Sequence, residues 1–337
     1  MKICICGGGN LGHVVAGFLA AQPTHQVSLL TRHPERWTHH LLIDTPNGEV
    51  LKGELCHIST HAKEVIPSAE LVLLCLPGYA LHDTLEQISK YLSPHVPVGS
   101  IVSSTGFFFE ALDILPETTP LFGFQRVPFI ARTTQYGHRA SLLGYKPQLN
   151  LAIERGGEAT EALRETLQEM LHTPISLLDN YYEASLTNSN PLLHTARLYE
   201  LWHTWHKEIV YKKEVPLFYT DWTDEAAQLY IQMDEELQNL LSKLKVKQGA
   251  IPTVLDYYES TDAHSLSKKL SSITAFQGIP APMKAVEGGY QPDFSSRYFT
   301  EDFPYGLAII HRLAHQHGVE VPHIDKVYEW GMRQLSK

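Results

Sequence analysis

The sequence predicts a chain in two parts, a doubly wound α/β domain over residues 1–180 followed by a mostly α-helical domain over residues 181–337. Three observations predict it. The 337 residues are about twice the usual domain length of roughly 150. Short apolar runs alternate with helical patterns as far as about Asn180. Beyond it, strand-like runs give way to apolar residues at helical spacing.

In the first part, five strands are readable. Lys2–Cys6 is the first, followed by a helix from about Asn10 to Ala21, and Gln26–Leu30 is the second. A loop-rich stretch with the turn signal Thr45-Pro46-Asn47-Gly48 comes next. Leu71–Leu76 is the third strand, closed by Pro77-Gly78 and followed by a helix near Leu81–Leu92. Ser100–Ser103 and Leu149–Ile153 are the remaining two, the latter leading through Gly156-Gly157 into a helix over Glu158–Leu171. Leu121–Leu143 has no clear period and receives no assignment. In the second part, Tyr230, Met233, Leu237, Leu240, Leu241 and Leu244 mark a helix within Thr223–Leu244. Further helices are expected at Thr253–Glu259, Leu266–Phe276, Tyr305–His317 and Ile324–Gln334, with Gly278–Gly289 as a loop.

Composition excludes several function classes. With 27 Lys+Arg against 37 Asp+Glu the net charge is −10, so most of the surface repels a polyanion and nucleic acid is not an expected partner. No apolar run approaches the roughly 20 residues of a membrane span, so a soluble protein is expected. Cys4, Cys6, Cys56 and Cys75 form no C-x-x-C pair, and three of them lie in strand-like runs, which suits reduced core thiols. The N-terminus carries no secretory pattern before Gly7, so a cytoplasmic location is expected.

The segment Cys6-Gly7-Gly8-Gly9-Asn10-Leu11-Gly12 places G-x-G-x-x-G between a strand and a helix, the context of the dinucleotide fingerprint of Rossmann-type domains. Gly7 permits the tight turn, and Gly9 lets backbone approach a pyrophosphate. Gly12 lets helix and strand pack closely, and the N–H groups of Asn10 and Leu11 face the anion. At the end of the second strand, where an NAD site usually has a carboxylate, the sequence reads Thr31-Arg32, and the first acid is Glu35. Arg32 with Thr31 suits a 2′-phosphate, so NADP is the preferred cofactor. NAD stays open if Arg32 is only a solvated loop arginine. Pro77 and Thr105, just past the carboxyl ends of two strands, are further cofactor-binding candidates, with strand-ending turns as the alternative.

Two segments of the second part carry candidate chemistry. In Asn190-Pro191-Leu-Leu-His194, Asn190 reads as a helix cap with Pro191 at the first position, which puts His194 in the first turn. The dipole there favours neutral imidazole, as a general acid/base near neutral pH requires, although one His among 19 is by itself more often structural. In Arg297-Tyr-Phe-Thr-Glu-Asp302-Phe-Pro-Tyr-Gly-Leu307, Arg297 offers a fork for a carboxylate and Asp302 can orient a histidine. Helix capping alone also explains this string.

These residues together resemble the opine dehydrogenases of the octopine/nopaline type. The resemblance rests on Gly-Gly-Gly-Asn near the N-terminus, Leu186-Thr-Asn-Ser-Asn-Pro-Leu-Leu-His194 and the Arg297–Leu307 string, in order over nearly the whole chain. It implies that His194 is the catalytic acid/base, that Asp302 pairs with it, and that Arg297 holds a substrate carboxylate. Asn190 is the second substrate-binding candidate. Gln125-Arg126-Val127-Pro128 also resembles the family. The implied reaction joins the amine of an amino acid to a 2-oxo acid and reduces the imine with a nicotinamide hydride. The chain is somewhat shorter than many members, which leaves its substrate loops undefined, and a homodimer through the helical domain is a further expectation.

Other readings are weaker. His203 and His206, and His311, His315 and His317, lie close in sequence, but no H-E-x-x-H occurs and no metal is expected. Ketopantoate reductases and glycerol-3-phosphate dehydrogenases share the two-domain plan but use a lysine early in the helical domain, and no Lys occurs between Lys146 and Lys207. A non-catalytic nucleotide sensor would have no need of His194, Arg297 and Asp302 together.

Overall fold

Lys2–Cys6 forms the first strand (β1), and its side chains alternate between two cores: Ile3 and Ile5 join one, Cys4 and Cys6 the other. That alternation, with every position from Ile3 to Cys6 apolar and buried, defines a strand covered on both faces. The computed structural model describes residues 1–212 and 214–336. They divide into two compact units, Met1–Thr187 and Asn188–Lys337.

In the first unit ten more strands follow β1: β2 (Gln26–Leu30), β3 (His40–Asp44), β4 (Val50–Ser59), β5 (Leu71–Leu74), β6 (Val98–Ser100), β7 (Leu121–Phe124), β8 (Phe129–Gln135), β9 (Arg139–Tyr145), β10 (Leu149–Glu154) and β11 (Ile175–Leu177). They build one sheet in the order β11-β10-β7-β6-β5-β1-β2-β4-β3-β9-β8. Every pair from β7 through β4 in that order is parallel. On one face α1 (Asn10–Ala20) packs through Val14, Val15 and Phe18. The short α2 (Ala62–Val65), α3 (Leu81–Ser89) and α4 (Phe107–Ile114) cover the other face through Val65, Leu85, Ile88, Phe107 and Phe108. A further helix, α5 (Thr160–Leu171), adds Leu167 and Leu171 to the α1 face. This is the doubly wound plan expected, and Cys4, Cys6 and Cys75 are buried and unbridged in it.

The sheet has eleven strands where five were readable. The missed strands β3, β4, β8 and β9 bury fewer than half of their residues, and none contains an apolar run longer than three. The unassigned stretch holds β7 and the β8–β9 hairpin, and the strand expected at Ser100–Ser103 lies at Val98–Ser100. Tyr181–Ser185 (α6), placed by the sequence reading in the second domain, belongs to the first unit. Asn180 caps it through the Tyr182 and Glu183 N–H groups, and Tyr181 packs on Phe108 at 5.3 Å.

The second unit is helical: α7 (Asn190–Trp202), α8 (Asp224–Lys243), α9 (Val254–Tyr257), α10 (Ala263–Ser272), α11 (Arg297–Thr300), α12 (Ala308–Gln316) and α13 (Pro322–Leu335). Helix α7 is its axis and is buried almost all round. The expected loop at Gly278–Gly289 contains part of a hairpin, Met283–Val286 (β12) with Gly289–Pro292 (β13). Its residues are mostly exposed, so it lacks the apolar signal of a core strand.

Candidate active site

The glycine loop lies past the carboxyl end of β1. Gly7 has φ +124°, and a Cβ there would sit 2.4 Å from the Cys75 carbonyl oxygen; one on Gly12 would sit 2.1 Å from that of Gly7. Neither position accepts a side chain. At Gly9, by contrast, a Cβ would meet nothing within 4 Å, and α1 starts there with no side-chain cap on its first N–H groups, those of Asn10, Leu11 and Gly12. Such a helix start suits an anion. Thr31 is buried at the end of β2, whereas Arg32 is exposed and has no hydrogen bond or ion pair among the described residues. Pro77 follows β5 as the residue before a short helical turn, and Thr105 follows β6 with its Oγ1 buried and unpartnered. Donors at the helix start, an unpaired cation and an orphaned hydroxyl along one sheet edge fit a dinucleotide.

His13 and the rings around it organise this loop, and they carried no sequence signal. His13 is buried in α1; its Nδ1 contacts the Gly9 carbonyl at 2.9 Å, and its Nε2 accepts the Gly137 N–H at 2.7 Å. Burial holds its pKa down, so the neutral ring ties the glycine loop to the β8–β9 turn. That ring stacks on Trp37 at 4.1 Å and meets Tyr136 edge-on, and the Arg36 guanidinium lies 4.2 Å above the Tyr136 ring. Asn10 serves the same hairpin, its Oδ1 accepting the Thr133 N–H at 2.9 Å. The spacing of Gly7, Gly9 and Gly12 is visible in the sequence, but long-range partners such as Gly137 are not.

In the second unit the structure joins the two residues that the sequence offered as an acid/base and its partner. His194 Nδ1 lies 2.8 Å from Asp302 Oδ2, with side chains only 10% and 17% exposed. A carboxylate can only accept, so Nδ1 carries the proton and Nε2 is left as the acceptor. The Tyr219 hydroxyl fills that role at 2.9 Å, giving a chain Asp302–His194–Tyr219. Burial first, then Tyr298, Tyr258 and Asp302, push the Tyr219 pKa up, so its hydroxyl keeps its proton and donates it. Tyr298 closes the imidazole's flank edge-on at 4.7 Å.

Local sequence explains the placement. Ser189, not Asn190, precedes α7; Asn190 is its first residue and is exposed, with its N–H given to Asn188 Oδ1 at 3.2 Å. His194 therefore sits one position deeper than the first turn, facing the unit's interior. Asp302 opens one turn of π-helix, Phe303–Leu307, closed by Leu307 N–H to the Asp302 carbonyl at 2.8 Å. Its side chain makes no cap, so the capping reading of this string fails and the carboxylate is left for His194. Gly306 lets this turn lie against Pro191 at the start of α7, where a Cβ would come within 2.6 Å of the proline ring.

Tyr219 is placed by Arg197, one turn on from His194 and 1% exposed. Its guanidinium donates to the carbonyls of Phe218 at 3.1 Å, Leu217 at 3.3 Å and Asp221 at 2.7 Å, and pairs with Glu200. An arginine within the apolar-rich run of α7 was the one available signal for this clamp. Arg297 lies at the start of α11 with an 83% exposed side chain, its fork held by Glu301 at 2.8 and 2.9 Å. Arg126, in the first unit, reaches the Thr187 carbonyl at 3.3 Å.

Comparison with known proteins gives this geometry a family. Residues 177–334 match the family described as NAD/NADP octopine/nopaline dehydrogenase, alpha-helical domain, and residues 3–108 match the ketopantoate reductase family PanE/ApbA. Octopine dehydrogenase of Pecten maximus is 27% identical over 365 residues, covering 100% of this chain and 91% of its own. The chain belongs to the opine dehydrogenase family. Tauropine dehydrogenase of Arabella iricolor, another member, is 26% identical over 99% of this chain and 91% of its own. A solved octopine dehydrogenase structure with NADH and L-arginine superposes with a TM-score of 0.89 at 27% identity, covering 100% of this chain and 90% of that one. No helix among the described residues is long and apolar enough to cross a membrane.

Proposed function

We propose that this enzyme condenses the amine of an amino acid with a 2-oxo acid and reduces the product to an N-(carboxyalkyl)amino acid, with His194 as acid/base. The observation that carries this assignment is the buried Asp302–His194–Tyr219 chain. Imine formation needs a proton delivered to the carbonyl oxygen that leaves as water, and a group that accepts one from the incoming ammonium. Asp302 fixes the imidazole in one tautomer and stabilises it when it becomes charged, and Tyr219 extends its reach by one hydroxyl. A bound nicotinamide nucleotide supplies the hydride that reduces the imine carbon. One ammonium, one carbonyl, one hydride and one proton thus give a secondary ammonium and water.

The loop of Gly7, Gly9, Asn10, Leu11 and Gly12 would hold the pyrophosphate, and Pro77 and Thr105 would line the nicotinamide side. NADP is the preferred form. Arg32 is exposed beside buried Thr31, and the nearest acid, Glu35, is turned to His33 at 3.3 Å. Arg297 already holds a carboxylate in its fork, that of Glu301, and a substrate carboxylate would take its place. Asn190, exposed at the start of α7, would contact the same substrate.

A matrix of amino acids against pyruvate, 2-oxoglutarate and glyoxylate, followed by loss of NADPH absorbance, tests the reading. Oxidation that requires both an amine and an oxo acid supports it. Oxidation by an oxo acid alone would instead make the chain a 2-oxo acid reductase, and cofactor binding without oxidation would make it a sensor.

A further inference from the structure

Three ligand-bearing side chains converge on the surface of the second unit, on elements that the proposed chemistry does not use. His311 and His315 lie four residues apart on α12, so both rings leave the helix on one face. Asp325, in the first turn of α13, meets them there: its Oδ1 lies 2.8 Å from His315 Nε2 and 3.2 Å from His311 Nε2. One donor atom from each of the three residues lies within 4.8 Å of the others.

We infer that His311, His315 and Asp325 form a site for a divalent transition cation of the zinc type, which clamps α12 to α13. Two imidazole nitrogens and a carboxylate oxygen are a ligand set that zinc takes at about 2.0–2.2 Å, which in a tetrahedron separates neighbouring ligand atoms by about 3.3 Å. The Asp325 contacts of 2.8 and 3.2 Å lie close to that spacing. One further observation points the same way. His311 stacks on Tyr328 at 4.1 Å, which holds its ring orientation. Side-chain exposures of 24%, 54% and 32% leave the cluster open to solvent, giving an entry path and a fourth position for water. The charged neighbours are Glu329, one turn further along α13 and acting on His311, and Arg333, which pairs loosely with Glu329 at 3.7 Å. Glu329 adds negative charge beside the ligands.

The consequence is regulatory rather than catalytic. Helix α12 continues directly from the π-turn that begins at Asp302, and a cation joining it to α13 stiffens that turn's support. The test uses the full chain after chelator treatment, titrated with Zn²⁺ by calorimetry and followed by thermal unfolding. One Zn²⁺ per chain and a raised melting temperature are expected. His311→Ala/His315→Ala and Asp325→Asn should each weaken binding at least tenfold, whereas His203→Ala/His206→Ala, changing another close pair, should leave it intact. Equal affinity in all variants, or no saturable binding by the wild-type chain, overturns the inference. Because helix-face variants can perturb folding, the visible spectrum of Co²⁺ bound to the wild-type chain gives an independent reading. Tetrahedral nitrogen and oxygen ligation supports the site, and the spectrum of hydrated Co²⁺ contradicts it.

Discussion

Asp302 accepts the Nδ1–H of His194 at 2.8 Å although 108 residues separate them in sequence. The contact is made by two helix starts lying against each other, with Gly306 of the π-turn on Pro191 of α7. Because the carboxylate occupies one ring nitrogen, the other is directed at Tyr219, and the imidazole has a single working tautomer.

Tyr219→Phe keeps the ring that stacks on Phe276 at 4.4 Å and removes only the hydroxyl at Nε2. If that hydroxyl carries the proton, kcat falls by roughly 10- to 100-fold, with KM little changed and a shifted pH profile. Steady-state kinetics across pH check this; unaltered kcat would make Tyr219 a packing residue only.

Arg32→Glu replaces an exposed cation beside the buried Thr31 with an anion that repels a 2′-phosphate. Losing one charge-assisted contact, about 1.5–3 kcal/mol, raises KM for NADPH by roughly 10- to 100-fold while leaving NADH nearly unaffected. Parallel titrations of the two cofactors measure it. A wild-type chain that already prefers NADH tenfold would remove Arg32 from cofactor selection.

Arg197→Met fills similar volume but strips the donors from the carbonyls of Leu217, Phe218 and Asp221 and leaves Glu200 without its partner. A loss of about 3–5 kcal/mol is expected, as for other broken buried ion pairs. Chemical denaturation would read the loss, and kcat should drop with it because the segment bearing Tyr219 loosens.

Asp234, in α8, is buried and accepts the Val254 N–H at 2.9 Å. Burial pushes its carboxyl up to about 6, above the ordinary 3.8. The folded chain thus keeps a proton that the unfolded chain has lost, so this group costs nothing below about pH 4 and destabilises increasingly from there to about pH 6 and fully above it. Asp234→Asn retains the acceptor and removes the charge, and should stabilise the fold at pH 7 by on the order of 2 kcal/mol, with no gain at pH 4. Melting temperatures at both pH values decide it; equal shifts at both would show that charge burial is not the cause.

The parts legible in the sequence are those whose physics is local. The glycine loop is read from spacing because each glycine answers a backbone demand within a few residues, and β1 and β5 are read because burial on both faces leaves continuous apolar runs. Strands β3, β4, β8 and β9 escape because they are half-exposed. His194 and Asp302 stood out through their flanking strings, yet their union depends on how α7 and the π-turn pack, and no spacing reports that. Tyr219 was one aromatic among many: its position is set by Arg197, whose three carbonyl partners lie about 20 residues along the chain. Asn190 looked like a cap because a short polar residue before proline usually is one, but the helix begins one residue earlier.

The most direct measurement is turnover of His194→Ala with an amino acid and 2-oxo acid pair on which the wild-type chain is active, alongside its affinity for NADPH. A loss of kcat by roughly two to four orders of magnitude with cofactor affinity preserved is the result predicted for an imidazole acid/base. Near-normal turnover in that variant would contradict the assignment of the acid/base to residue 194.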